Sequence, residues 1–122
     1  KEKISILIAE DDEQNYHLYH SILHNDYNLL HAWNGAEAEE LFITQNPHLI
    51  LMDMNMPVMN GYEATTEIRK LPADVPINAI SAYTYEPNEK EHGFSAYMDK
   101  PVSPNKLQEE IANMLNKHFI IL

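Results

Sequence analysis

Apolar positions in this chain follow two rhythms. Five short runs are nearly continuous: residues 4–9 (ISILIA), 28–32 (NLLHA), 48–52 (HLILM), 77–80 (INAI) and 96–98 (AYM). A strand covered on both faces reads this way, because neither side meets water. The second and fifth runs carry this signal more weakly than the other three. Between them, apolar residues recur at helical spacing. Residues 14–25 place Leu18, Ile22 and Leu23 on one side, and residues 36–45 do so with Ala38, Leu41 and Phe42. Residues 62–71 align Tyr62, Thr65, Ile68 and Leu71. Residues 104–118 align Leu107, Ile111, Met114, Leu115 and His118, with Pro104 suited to a first helical turn. Residues 86–92 form a short, polar candidate helix ended by Gly93.

Strand and helix patterns therefore alternate along the whole chain. Such alternation predicts an α/β architecture, a parallel sheet with helices on both faces and right-handed crossovers. Five strands in 122 residues fit the flavodoxin-like, doubly wound order 2-1-3-4-5. In that order the winding reverses between strands 1 and 3, and ligands bind beyond the carboxyl ends of those two strands. No repeat or linker divides the chain, so residues 1–122 read as one domain. Its first residue is Lys rather than Met, and the expectation is a segment cut from a longer protein.

Composition narrows the function. Hydrophobic residues make up 44% and charged residues 22%, the balance of an ordinary globular domain. The longest apolar runs are four residues, at 6–9, 49–52 and 119–122, too short for a membrane-spanning helix or a signal peptide. There is no cysteine, which excludes disulfides, thiolate metal sites and a thiol nucleophile. Nineteen acids against eight bases give a net charge of −11. Such a surface repels nucleic acid and anionic membrane, so direct contact with either is not expected. Cations and basic protein surfaces suit it.

The predicted strand ends carry the candidate chemistry. Strand 1 runs into Glu10, Asp11, Asp12 and Glu13, strand 3 into Asp53, strand 4 into Ser81, and strand 5 into Asp99, Lys100 and Pro101. Each has an ordinary structural explanation. Acids between strand and helix are common N-caps and first-turn residues, and Asp11 with Gln14 resembles a capping box. Ser after a strand and Lys-Pro in a loop are common too. Their joint arrival at one sheet edge is what points to a site. Several carboxylates within a few ångströms repel one another unless a cation intervenes. Lys100 supplies one positive charge, which is too little. A hard divalent cation such as Mg²⁺, held by one or two carboxylates and several waters, balances the rest. That arrangement suits phosphoryl transfer, with Asp53 as carboxylate nucleophile and Lys100 and Ser81 contacting phosphoryl oxygens.

These residues resemble the receiver domain of two-component response regulators over essentially the whole chain. The matching segments are Ile6-Leu7-Ile8-Ala9-Glu10-Asp11, Leu51-Met52-Asp53-Met54-Asn55-Met56-Pro57-Val58-Met59-Asn60-Gly61, Ala79-Ile80-Ser81-Ala82 and Tyr97-Met98-Asp99-Lys100-Pro101. The second, Asp-x-x-Met-Pro-x-Met-x-Gly, is the most specific, and Asn34-Gly35-Ala36-Glu37-Ala38 looks like the family's second turn. The resemblance implies that Asp53 accepts a phosphoryl group from a kinase phosphohistidine in a histidine-to-aspartate phosphorelay. It implies that Asp11 binds Mg²⁺ directly, Glu10 through water, and Asn55 through its backbone carbonyl. Ser81 and Lys100 would contact the phosphoryl group, the Lys100–Pro101 peptide would be cis, and Ser81 and Tyr97 would form the switch. Asp12 is not assigned to the metal. The implied partner is a histidine kinase dimerisation and phosphotransfer domain, in the same chain or another, or a histidine phosphotransfer protein. The wording of the Met56–Thr65 stretch resembles receivers of hybrid sensor histidine kinases, and a cytoplasmic domain is expected, whether or not its parent is membrane-anchored.

The chain also departs from the pattern. Ser81 stands where Thr is commoner. Ser81 to Lys100 spans 19 positions, shorter than the family's usual spacing by nearly one helical turn. The helix at 86–92 is therefore expected to be short or irregular, and residues 82–93 poorly ordered without phosphate. A stand-alone or DNA-binding response regulator fits the same motifs. An Asp-nucleophile, Mg²⁺-dependent phosphatase of the haloacid-dehalogenase type needs an acid at position 55, which is Asn. A phosphate-blind pseudo-receiver would not keep Glu10, Asp11, Asp53, Ser81 and Lys100 together. His17, His20 and His24 form one helical stripe that reads as a solvated face rather than a metal site. Asn60-Gly61 reads as a loop leading into a helix, and Trp33 as a partly exposed packing residue. Tyr83 and Tyr85 are placed at the site's mouth or under the short helix.

Overall fold

The structure is a computed structural model that describes residues 3–82 and 93–118. The elements run β1 (Ser5–Ala9), α1 (Glu13–Leu23), β2 (Asn28–Ala32), α2 (Gly35–Gln45), β3 (Leu49–Asp53), α3 (Gly61–Arg69), β4 (Ile77–Ser81), β5 (Ala96–Asp99) and α4 (Pro104–His118). All four strand pairings are parallel, in the order β2-β1-β3-β4-β5, as the alternating pattern predicts. The candidate helix at 86–92, with Tyr83 and Tyr85, and the tail at 119–122 lie outside the described residues.

The near-continuous apolar runs do two jobs at once. Successive side chains of a strand point to opposite faces. Leu7, Ala9, Ile50, Met52, Ile77 and Ala79 pack with Ala38 and Phe42 of α2 and Ala64 and Ile68 of α3. Ile6, Ile8, Leu49, Leu51, Ile80 and Met98 pack with Tyr19 and Leu23 of α1 and with Leu107, Ile111, Met114 and Leu115 of α4. The sheet is thus a shared wall between two cores, and its central strands β1 and β3 are almost wholly withdrawn from water. Burial on that scale contributes about 1.5–3 kcal/mol per large side chain and holds the strand ends in fixed relation.

Helix starts and faces differ from the expectation in detail. Asp12, not Asp11, caps α1: its Oδ1 accepts from the Gln14 amide at 2.8 Å and the Asn15 amide at 3.3 Å. This start turns Tyr19 and Leu23 to the sheet and leaves Leu18 43% exposed, so Leu18 is not the core residue its spacing suggested. Asn60 caps α3 in a reciprocal capping box with Glu63, as expected of a loop entering a helix. Gly61 is required there, because a side chain at that position would collide with the Asp53 carbonyl oxygen and the Met54 side chain. α3 therefore begins directly against the end of β3.

Candidate functional site

Strand register brings the candidate residues together. Ala9 pairs with Met52 across β1 and β3, so the next residues, Glu10 and Asp53, leave the sheet side by side. Asp53 pairs with Ile80, Ser81 with Asp99, and Lys100 follows directly. The Lys100 ammonium reaches back over the edge. Its Nζ lies 3.2 Å from Asp53 Oδ1 and 3.8 Å from Glu10 Oε1. Glu10 and Asp53 are each 1% exposed, whereas Asp11 is exposed at the rim. One carboxylate oxygen from each of Glu10, Asp11 and Asp53 falls within 4.8 Å of the others.

The hydrogen bonds hold the acids without neutralising them. The Asn55 amide donates to Asp53 Oδ1 at 3.2 Å, and the Asp12 amide donates to Glu10 Oε2 at 3.2 Å. Asp53 Oδ2 and Glu10 Oε1 accept no hydrogen bond from an amide, ammonium or hydroxyl among the described residues, and the Glu10 and Asp53 side chains lie within hydrogen-bond reach of each other when Glu10 is protonated. Burial, and then the neighbouring Asp53 charge, push the Glu10 carboxyl up to about 8, against the opposing pull of Lys100 and the Asp12 amide. Burial and the same two acids also push the Tyr19 phenol up, so it stays a neutral hydroxyl. Two buried carboxyls and one at the rim thus face one ammonium. A buried charge left uncompensated is costly. Hard oxygen donors in this number, with Asp53 Oδ2 unengaged, fit a Mg²⁺ ion that keeps several of its waters.

The remaining expected residues are placed as follows. Ser81 ends β4, half-buried, and its carbonyl accepts from the Lys100 amide at 2.8 Å. Asn55 is exposed in the loop after β3. Tyr97 lies within β5, paired with Ala79 and edge-on to Phe94 at 5.5 Å between ring centroids. The Lys100–Pro101 peptide is cis. His17, His20 and His24 are all exposed, the last two with stacked rings 4.9 Å apart. Trp33 is 43% exposed beside His31. Sequence reasoning missed His31, whose Nε2 lies 2.9 Å from the Glu10 carbonyl oxygen. That contact joins the ends of two strands, and no local motif announces it.

Comparison with known proteins places the chain in a family. The family model described as the response regulator receiver domain matches residues 6–112. The chain is 36% identical over 120 residues to the autoinducer 1 sensor kinase/phosphatase LuxN of Vibrio harveyi, covering 93% of this chain but only 14% of that protein. It is 31% identical over 121 residues to the polar-differentiation response regulator DivK of Brucella anthropi, covering 91% of this chain and 95% of DivK. Among solved structures, the signal receiver domain of a signal transduction histidine kinase from Syntrophus aciditrophicus superposes with a TM-score of 0.85 at 25% identity, covering 97% of this chain and 94% of that one. With the fold, the matched family model and these relatives in agreement, the chain belongs to the response regulator receiver family of two-component signalling.

Proposed function

We propose that this domain accepts a phosphoryl group on Asp53 from a phosphohistidine, with Mg²⁺ held by Asp11 and Asp53 directly, Glu10 through water, and the Asn55 carbonyl. The observation that carries the reading is the Asp53 carboxylate itself: 1% exposed, fixed through Oδ1 by Lys100 and the Asn55 amide, with Oδ2 unengaged. In the transfer, an Asp53 oxygen bonds to phosphorus, the phosphorus–nitrogen bond to the donor imidazole breaks, and that ring keeps the bonding pair. Lys100 loses a carboxylate contact and gains a phosphoryl oxygen, so its charge is used on both sides of the step. Ser81 donates its hydroxyl to another oxygen. Bound Mg²⁺ supplies positive charge that offsets the phosphoryl oxygens. Movement of Ser81 toward phosphate then repacks Tyr97, whose ring already lies against the core beside Phe94 with its hydroxyl withdrawn from water, a two-position element that carries the signal.

The partner is a histidine kinase phosphotransfer domain or a histidine phosphotransfer protein, reached in the cytoplasm. A groove of about 380 Å³ walled by Asn15, Leu18 and Tyr19 of α1 and by Lys100, Pro101 and Val102 offers that partner a contact surface beside the acidic edge. The parent is a hybrid sensor kinase, a reading supported by the similarity to LuxN. The test is incubation with a small phosphodonor, with and without Mg²⁺. One phosphoryl group per chain, dependent on Mg²⁺ and absent from Asp53→Asn, supports the reading. Equal uptake by Asp53→Asn refutes it.

A further inference from the structure

β2 is an edge strand, and its ladder with β1 ends at the pair Ala9–Ala32. One more backbone bond follows, from the Glu10 amide to the Ala32 carbonyl at 2.9 Å. Past that point the chain turns through Glu10, Asp11 and Asp12 into α1. The next link is made by a side chain: His31 Nε2 lies 2.9 Å from the Glu10 carbonyl oxygen. A carbonyl only accepts, so Nε2 carries the proton and donates. The ring that makes this bond is itself held. It stacks on Tyr16 of α1 with centroids 3.7 Å apart and planes 1° apart, and Trp33 covers it at 4.2 Å.

The Glu10 carbonyl belongs to the peptide that joins Glu10 to Asp11. That peptide is planar, so fixing its oxygen fixes the direction in which the chain leaves for Asp11. Its far side is fixed by the Asp12 amide on Glu10 Oε2 and by the Asp12 cap on α1. His31 supplies the near side. The two acids leave one strand end in opposite circumstances, Glu10 buried and Asp11 exposed, yet their oxygens converge with Asp53 within 4.8 Å. That convergence requires a defined peptide orientation between them.

We propose that His31 is a positioning residue: by donating from Nε2 to the Glu10 carbonyl it sets the Glu10–Asp11 peptide and so the spacing of the two acids that receive the divalent cation. This rests on the reading of the acidic cluster as a cation site. His31 touches neither cation nor phosphoryl group. Its effect is on the cation concentration that the site requires, not on the chemistry once the site is filled.

The test compares His31→Phe, which keeps a flat ring for Tyr16 and Trp33 but cannot donate, with His31→Gln, whose amide nitrogen reaches the same place. Mg²⁺ titration followed by NMR is expected to show an affinity about three- to tenfold weaker in His31→Phe, the factor that one neutral hydrogen bond carries, and within about twofold of wild type in His31→Gln. Phosphorylation by a small phosphodonor at saturating Mg²⁺ is expected to run at the wild-type rate in both. Wild-type affinity in His31→Phe overturns the proposal, as does a His31→Gln affinity as weak as that of His31→Phe. Long-range nitrogen–proton NMR on the wild-type ring provides a check without substitution: an Nε2–H tautomer supports the proposal and an Nδ1–H tautomer overturns it. Asp11→Asn separates the two claims. If it weakens Mg²⁺ binding while His31→Phe does not, only the role of His31 fails. If it leaves binding unchanged, the cation site itself fails.

Discussion

Replacing Glu10 by Gln should remove a pH dependence of stability that the wild-type domain shows without divalent cation. Glu10 is 1% exposed, and burial with the Asp53 charge pushes its carboxyl from the ordinary 4.5 up to about 8. Between those values the folded protein holds a proton that the unfolded chain has released. The contribution is fully present below about pH 4.5, falls as pH rises, and is gone above about pH 8. A span of about 3.5 pH units at about 1.4 kcal/mol each sets a ceiling near 5 kcal/mol. The opposing pull of Lys100 is already contained in that value; water at the exposed Asp11 rim screens the site further and lowers the expected loss to about 2–4 kcal/mol. Urea unfolding in EDTA at intervals from pH 5 to pH 9, on wild type and Glu10→Gln, measures it. The difference between the two proteins isolates Glu10, together with the neighbouring Asp53 whose charge it feels, from the titrating groups elsewhere in the domain. Wild type should lose stability relative to Glu10→Gln as pH rises, and saturating Mg²⁺ should cancel most of that loss by favouring the ionised carboxyl. A difference that stays constant across the range, or grows in the other direction, refutes the reasoning.

Three other substitutions separate the parts of the site. Lys100→Ala removes the cation that lies against Asp53 and Glu10, and should slow phosphorylation by a small phosphodonor about 10²–10³-fold, measured as the initial rate at saturating Mg²⁺. Asp12→Ala removes the α1 cap and should cost about 1 kcal/mol in urea unfolding while changing Mg²⁺ affinity less than Asp11→Asn does. Gly61→Ala places a methyl group against the Asp53 carbonyl, and should cost about 1–3 kcal/mol by the same assay.

Much of this architecture was legible before the structure. The runs at 4–9, 48–52 and 77–80 read as strands buried on both sides, and they are the three central ones. The division of each run between two cores was not legible, because a continuous apolar run carries no alternation to read. Helix α1 shows the other limit. Periodicity fixes a helix but not its first residue, and a start at Glu13 exchanges Leu18 for Tyr19 at the core and Asp11 for Asp12 at the cap. The site acids and Lys100 were legible because they follow strand ends, where register alone brings them together. His31 was not, since its partner lies 21 positions away and is a backbone carbonyl, which has no sequence signature.

The central claim is that Asp53 becomes an acyl phosphate. The domain should be treated with a small phosphodonor and Mg²⁺, digested, and mapped by mass spectrometry with and without hydroxylamine, which cleaves acyl phosphates and spares phosphate esters. The account predicts one modified peptide, containing Asp53, whose modification disappears in hydroxylamine and never forms in Asp53→Asn. Phosphate that survives hydroxylamine on Ser81 or another hydroxyl, or that maps to Asp11 or Asp12, would contradict it.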